Sequence, residues 1–126
     1  MVGHLKSVSM GAMSDGCLFC KIVDGKIPAE RIYEDEDSIA IADINPQALI
    51  HVLVMPKRHM LSLAETGPED AALLGKLLAA AAEVARQKNL ERGYRVVVNT
   101  GAEGGQTVHH LHLHVLGGRH MGWPPG

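Results

Sequence analysis

The chain has 126 residues, 46% of them apolar and 21% charged, which is enough for one domain with one core and excludes a disordered chain. Lys and Arg total 12 against 14 Asp and Glu, and neither sign gathers into a block, so a nucleic-acid partner is excluded while a small anionic ligand is not. No stretch approaches the roughly 20 apolar residues that span a bilayer, and Met1 to Lys6 hold no signal-peptide core, so the expectation is a cytoplasmic protein without a membrane partner.

Residues 1–13 show no period and read as a disordered tail or leader, with the folded domain over residues 14–126. Leu18 to Val23 forms a short helix closed by Asp24-Gly25. Strands are expected over Arg31 to Tyr33, Ser38 to Ile44 and His51 to Met55, with Asn45-Pro46 and Pro56 as breakers. From Gly67 to about Leu90, Leu73, Leu74, Leu77, Leu78, Ala81, Val84 and Ala85 recur at helical spacing. Thr66 and Glu69 form a capping-box pattern at its start, Pro68 sits in its first turn, and Gly93 marks its end. Two more strands follow, Tyr94 to Asn99 and His110 to Leu116. Strands on both sides of one long helix predict an α+β domain: a mainly antiparallel five-stranded sheet with one long and one short helix.

His110-Leu111-His112-Leu113-His114-Val115-Leu116 carries the chemistry. Alternation along a strand puts the three histidines on one face and Leu111, Leu113 and Val115 on the other. Same-face neighbours lie about 6.5–7 Å apart, close enough for adjacent rings to address one ligand. A single strand histidine is usually solvent-facing, but three in strict alternation, backed by an apolar face, point to a metal site or to covalent catalysis. A polyhistidine tag would lack the interleaved Leu and Val.

This pattern resembles the motif of the histidine triad (HIT) family. The similarity extends to Phe19-Cys20-Lys21-Ile22, Ile27-Pro28-Ala29, Asp43-Ile44-Asn45-Pro46-Gln47-Ala48, Pro56-Lys57-Arg58-His59, Val97-Val98-Asn99 and Gly104-Gly105-Gln106. The ending, Gly117-Gly118-Arg119 and Gly122-Trp123-Pro124-Pro125-Gly126, resembles the Hint branch, the purine nucleoside phosphoramidases.

The resemblance implies a homodimer, with the long helix and the strand from Tyr94 at the interface, that binds AMP- or GMP-like ligands and cleaves a phosphorus–nitrogen bond. It makes His112 the nucleophile, with His110 and His114 beside it. Neutral imidazole suits that role, since one nitrogen can be held by a hydrogen bond while the other keeps a lone pair. His114 is expected to donate to a phosphate oxygen. Asn99 to Thr107 reads as a phosphate loop, in which Gly104 and Gly105 admit phosphate to the backbone while Asn99 and Thr107 add donors. The Hint pattern more often has serine at Thr107, whose hydroxyl would steer the leaving amine. Asp43 is placed on the ribose hydroxyls, Ile44 against the purine with Phe19 and Ile22, and His51 in a supporting position.

Cys17 and Cys20 are poorly spaced to staple a secreted fold and read as metal ligands, free thiols or a redox pair. The resemblance adds His59 and His110 to make a Cys2His2 structural zinc site, whose four protein ligands leave no open position. No catalytic cofactor is called for. Two other functions use the same triad: a dinucleoside polyphosphate hydrolase or nucleotidyl transferase, and a non-catalytic nucleotide-binding interaction module.

Overall fold

A computed structural model describes residues 16–126. The segment read as a tail, residues 1–13, lies outside the described residues. Helix α1 (Leu18–Val23) leads into β1 (Arg31–Glu34), β2 (Ser38–Ala42) and β3 (Ile50–Pro56); helix α2 (Ala71–Gln87), β4 (Tyr94–Val97) and β5 (Leu113–Gly117) follow. The five strands form one sheet in the order β1-β2-β3-β5-β4, and every neighbouring pair is antiparallel. This is the expected α+β architecture, with short 3₁₀ turns added at Leu63–Glu65 and Pro68–Asp70.

The period of two along the strands builds two cores. Ala40, Val52, Val54, Leu111, Leu113 and Val115 pack against Leu77, Ala80, Ala81 and Val84 of α2. Their strand neighbours Ile39, Ile41, Leu53 and Met55 pack with Cys17, Phe19, Cys20 and Ile22 of the α1 region. Both faces of the sheet are therefore covered, but the imidazole face opens at half-buried His114 while Leu111, Leu113 and Val115 are all buried. His110 is fully buried and His112 is only 7% exposed.

Several boundaries differ from the expectation, each for a local reason. The long helix starts at Ala71 because Pro68–Asp70 first forms a 3₁₀ turn, capped one residue later than expected: the Asp70 carboxylate accepts from the Gly67 N–H at 3.0 Å. Thr66 is engaged elsewhere, its hydroxyl donating to the Leu63 carbonyl at 2.7 Å. The helix stops at Gln87 in a Schellman turn centred on Asn89, whose φ is 59°. There the Leu90 N–H donates to Ala85 O and the Asn89 N–H to Arg86 O. Gly93 lies beyond this turn.

The last strand is expected from His110 but begins pairing only at Leu113, opposite Val54. Residues 110–112 turn away from β3 because the Leu111 N–H is taken by Met60 O at 2.6 Å and the Pro56 carbonyl by the His110 ring at 2.8 Å. The alternation of faces nevertheless continues back through them. Similarly, β2 ends at Ala42 rather than Ile44, where Asp43 Oδ1 accepts from the Asn45 N–H at 2.8 Å and turns the chain.

Candidate active site and metal centre

The site forms where the start of β5, the end of β3 and the N-terminus of α1 meet. His112 Nδ1 donates to the His110 backbone oxygen at 2.7 Å. A carbonyl can only accept, so the proton of neutral His112 sits on Nδ1 and the Nε2 lone pair is left for a ligand. Phe19 packs edge-on against this ring, with centroids 5.1 Å apart, and against His110 at 5.9 Å. His114 lies beside His112 at 4.9 Å and meets His51, Nδ1 to Nε2, at 2.9 Å. The other nitrogen of His51 accepts from the Gln47 backbone N–H at 3.0 Å, and Asp43 Oδ2 stands 3.4 Å from His51 Nε2.

Burial governs the charge of these rings. Desolvation lowers the pKa of His112 below its ordinary value of 6.5, against the opposing pull of the His110 carbonyl. It lowers His114 and His110 further, each to about 4. His51 is lowered by burial too, opposed by the Asp43 carboxylate. Near neutral pH the group consists of neutral imidazoles, the form that can act as nucleophile or ligand.

A second cluster shares His110. The ligand atoms of Cys17, Cys20, His59 and His110 lie within 4.8 Å of one another, and all four residues are buried. His110 Nδ1 is 3.3 Å from Cys17 Sγ and 3.5 Å from Cys20 Sγ, and His59 Nδ1 is 3.3 Å from Cys20 Sγ. Because His110 Nε2 donates to Pro56 O, its Nδ1 lone pair faces the thiols. That is the orientation a metal-ligating imidazole needs, with a carbonyl holding the opposite nitrogen. Two thiols and two imidazoles converging in a buried cluster suit a four-coordinate zinc ion. Cys17 has a further local role, its Sγ accepting from the Cys20 N–H at the start of α1.

Not every expected residue converges. Phe19 and Ile22 lie together in one buried cluster, whereas Ile44 is fully exposed and stands apart from them. Asn99 is half-buried and Thr107 exposed at the two ends of the glycine-rich loop. The Gly105 N–H is held inside that loop by Ala102 O at 3.1 Å. Sequence reasoning gave no role to Gln106, the buried pin of the loop. Its Oε1 accepts from the Gly101 N–H at 3.0 Å, while its Nε2 donates to Leu61 O at 2.7 Å and Val108 O at 3.1 Å. The only sequence signal for it is a long amide side chain between the glycines and the triad.

A row of imidazoles leading into β5, the central one poised with a free lone pair, defines a covalent-catalysis or ligand-binding site of the triad kind. The chain belongs to the HIT domain family, matching it over residues 24–121. A HIT-like protein of Synechococcus elongatus is 50% identical over 114 residues, covering 90% of this chain and all of that protein. The crystal structure of a HIT family hydrolase from Legionella pneumophila superposes with a TM-score of 0.86 at 48% identity, covering 87% of this chain and 99% of that one. A zinc-bound histidine triad family protein from Mycobacterium smegmatis superposes with a TM-score of 0.72 at 42% identity, covering 84% of this chain and 77% of that one.

Proposed function

We propose that this protein is a purine nucleoside phosphoramidase, hydrolysing the phosphorus–nitrogen bond of AMP- or GMP-amine conjugates through a nucleotidyl-histidine intermediate. The observation that carries the reading is the 2.7 Å bond from His112 Nδ1 to its neighbour's carbonyl, which fixes the attacking tautomer. The hydrolase of known structure at TM-score 0.86 supports the reaction class.

In the first step the His112 Nε2 lone pair forms a bond to the α-phosphorus while the bond to nitrogen breaks, and the departing amine takes up a proton from solvent. Thr107 stands on the exposed flank to steer that amine. His114 donates to a phosphoryl oxygen as negative charge builds. Water then attacks phosphorus as the bond to Nε2 breaks, its proton passes to solvent, and neutral His112 and the nucleoside monophosphate are released. Asp43 accepts the ribose hydroxyls, Phe19 and Ile44 offer apolar surface to the base, and Asn99 and the loop around Gly105 border the phosphate.

Cys17, Cys20, His59 and His110 hold a structural zinc ion in this reading, supported by their geometry and by the zinc-bound relative. When bound it supplies order, tying α1 and the His59 segment to the residue whose carbonyl orients His112. No catalytic cofactor is required. The protein acts as a cytoplasmic homodimer: β4 is an edge strand with no outer partner among the described residues, and Leu78 of α2 and Tyr94 of β4 are exposed apolar side chains on the expected interface elements. No helix among the described residues is long and apolar enough to cross a membrane.

The test is His112→Ala assayed on an adenosine phosphoramidate of a primary amine. Turnover should fall by at least about a thousandfold while AMP affinity stays near that of the unmodified protein. Near-normal turnover in the variant would exclude His112 as nucleophile.

A further inference from the structure

We propose that His51 couples the ribose-binding carboxylate of Asp43 to His114, so that the sugar hydroxyls are read in the chemical step as well as in binding. This inference rests on the reading above, in which Asp43 takes the ribose and His114 faces the phosphate.

The direction of each hydrogen bond follows from one group that can only donate. The Gln47 backbone N–H points at His51 Nδ1 from 3.0 Å, so that nitrogen must accept. A neutral imidazole accepting at one nitrogen carries its proton on the other. His51 therefore offers one N–H, at Nε2, and two acceptors face it: His114 Nδ1 at 2.9 Å and Asp43 Oδ2 at 3.4 Å. When the proton is directed to His114, that ring accepts at Nδ1 and must present N–H at Nε2, the donor a phosphoryl oxygen requires. When the anionic carboxylate draws the proton instead, His114 loses the contact that fixes its tautomer.

Asp43 Oδ1 is engaged by the Asn45 N–H at 2.8 Å, which leaves Oδ2 as the oxygen shared between His51 and any incoming hydroxyl. Hydroxyls donating to Oδ2 satisfy its charge and release the His51 proton to His114. A nucleotide lacking a hydroxyl leaves the competition in place. The same hydrogen-bond directions exclude a cation here, although the ligand atoms of Asp43, His51 and His114 lie within 4.8 Å of one another. His51 has one nitrogen accepting and the other protonated, so it has no lone pair to give.

His51 is on this account a positioning residue, and its effect is separable from a merely structural one. With adenosine phosphoramidates, removing the 2′- or 3′-hydroxyl should lower kcat by about tenfold, the equivalent of one hydrogen bond, in addition to any rise in KM. His51→Met, which removes the donor, should lower kcat on the ribonucleotide and abolish the kcat difference between ribo and deoxy substrates. His51→Gln, whose amide N–H falls near the position of Nε2, should restore part of both.

Nitrogen-15 NMR of the unmodified protein provides a readout that needs neither a variant nor turnover. The His114 Nδ1 resonance should shift further toward a hydrogen-bonded acceptor on adding AMP than on adding 2′-deoxy-AMP or 3′-deoxy-AMP. An equal response to all three nucleotides, or a ribo-to-deoxy kcat ratio that survives in His51→Met, overturns the coupling. Neither result touches the case for His112 as nucleophile, and an active His112→Ala variant would overturn that case while leaving the NMR comparison intact.

Discussion

The His110 ring and the His112 ring are joined through a single peptide unit: His110 carries its Nδ1 into the Cys17–Cys20–His59 cluster while its backbone oxygen accepts the Nδ1 proton of His112. One residue thus belongs to two centres, by its side chain in one and its main chain in the other. Contacts that hold the His110 ring in the cluster therefore also help to restrain the carbonyl that decides which nitrogen of His112 is free.

Replacing Cys20 with Ser should therefore affect both centres. The unmodified protein is expected to hold about one zinc ion per chain, and the variant far less, because one of four ligands is lost. Phosphoramidate turnover should fall by about tenfold, as for other losses of support around a ligating histidine. Elemental analysis read beside kcat checks this; a variant that loses the metal and keeps full kcat would show that the two centres are independent.

Gln106→Ala should loosen the loop without touching the histidines. Two carbonyls, Leu61 O and Val108 O, and the Gly101 N–H lose their partner. Unsatisfied buried groups cost about 1–3 kcal/mol each, and water can reach part of this exposed loop, so a stability loss of about 2 kcal/mol is expected. The kinetic signature should be a raised KM with a smaller change in kcat. Urea unfolding and initial rates measure the two effects.

At Gly104 the restriction is steric. A Cβ there would run into the backbone oxygen of Thr100 and stand 2.9 Å from its nitrogen. Neither atom can swing aside as a side chain could, so Gly104→Ala should reshape the loop at a cost of about 1–3 kcal/mol. Gly105, at a φ of 85° with open space around its Cβ position, is restricted by conformation instead. Affinity for AMP, measured by calorimetry, should weaken in Gly104→Ala; unchanged affinity would remove this loop from the phosphate site.

Acid should destabilise the fold over a defined window. His114 takes up a proton near 6.5 when unfolded but only at about 4 in the native protein, mainly because it is desolvated. Between those values the unfolded chain holds more protons, so stability rises with pH across the window and reaches its full value above about 6.5. Tm should fall steadily from pH 6.5 toward 4, and His114→Asn should flatten part of the slope. A Tm that stays level down to pH 4.5 would contradict the burial argument.

The period of two from His110 to Val115 is written in the residues themselves, and the structure keeps the two faces apart as that period requires. Where the strand starts pairing is not written there, because it depends on Met60 and Pro56, whose carbonyls are distant in sequence. The core stripe of α2 was readable from Leu77, Ala81, Val84 and Ala85, whereas its ends turned on which of two neighbouring acids reached back and on Asn89 entering the left-handed region. At the site, Cys17, Cys20, His59 and His110 do converge, while the full exposure of Ile44, apart from Phe19 and Ile22, reflects loop geometry that residue type does not reveal.

The strand order has a bearing on how the domain holds together. β5 comes after β4 in the chain yet sits between β3 and β4 in the sheet. Among the described residues β4 pairs with no strand except β5, so it can join the sheet only through the segment that also sets His114 against His51. The strand that completes the reactive group is therefore also the one that ties β4 to the rest of the domain.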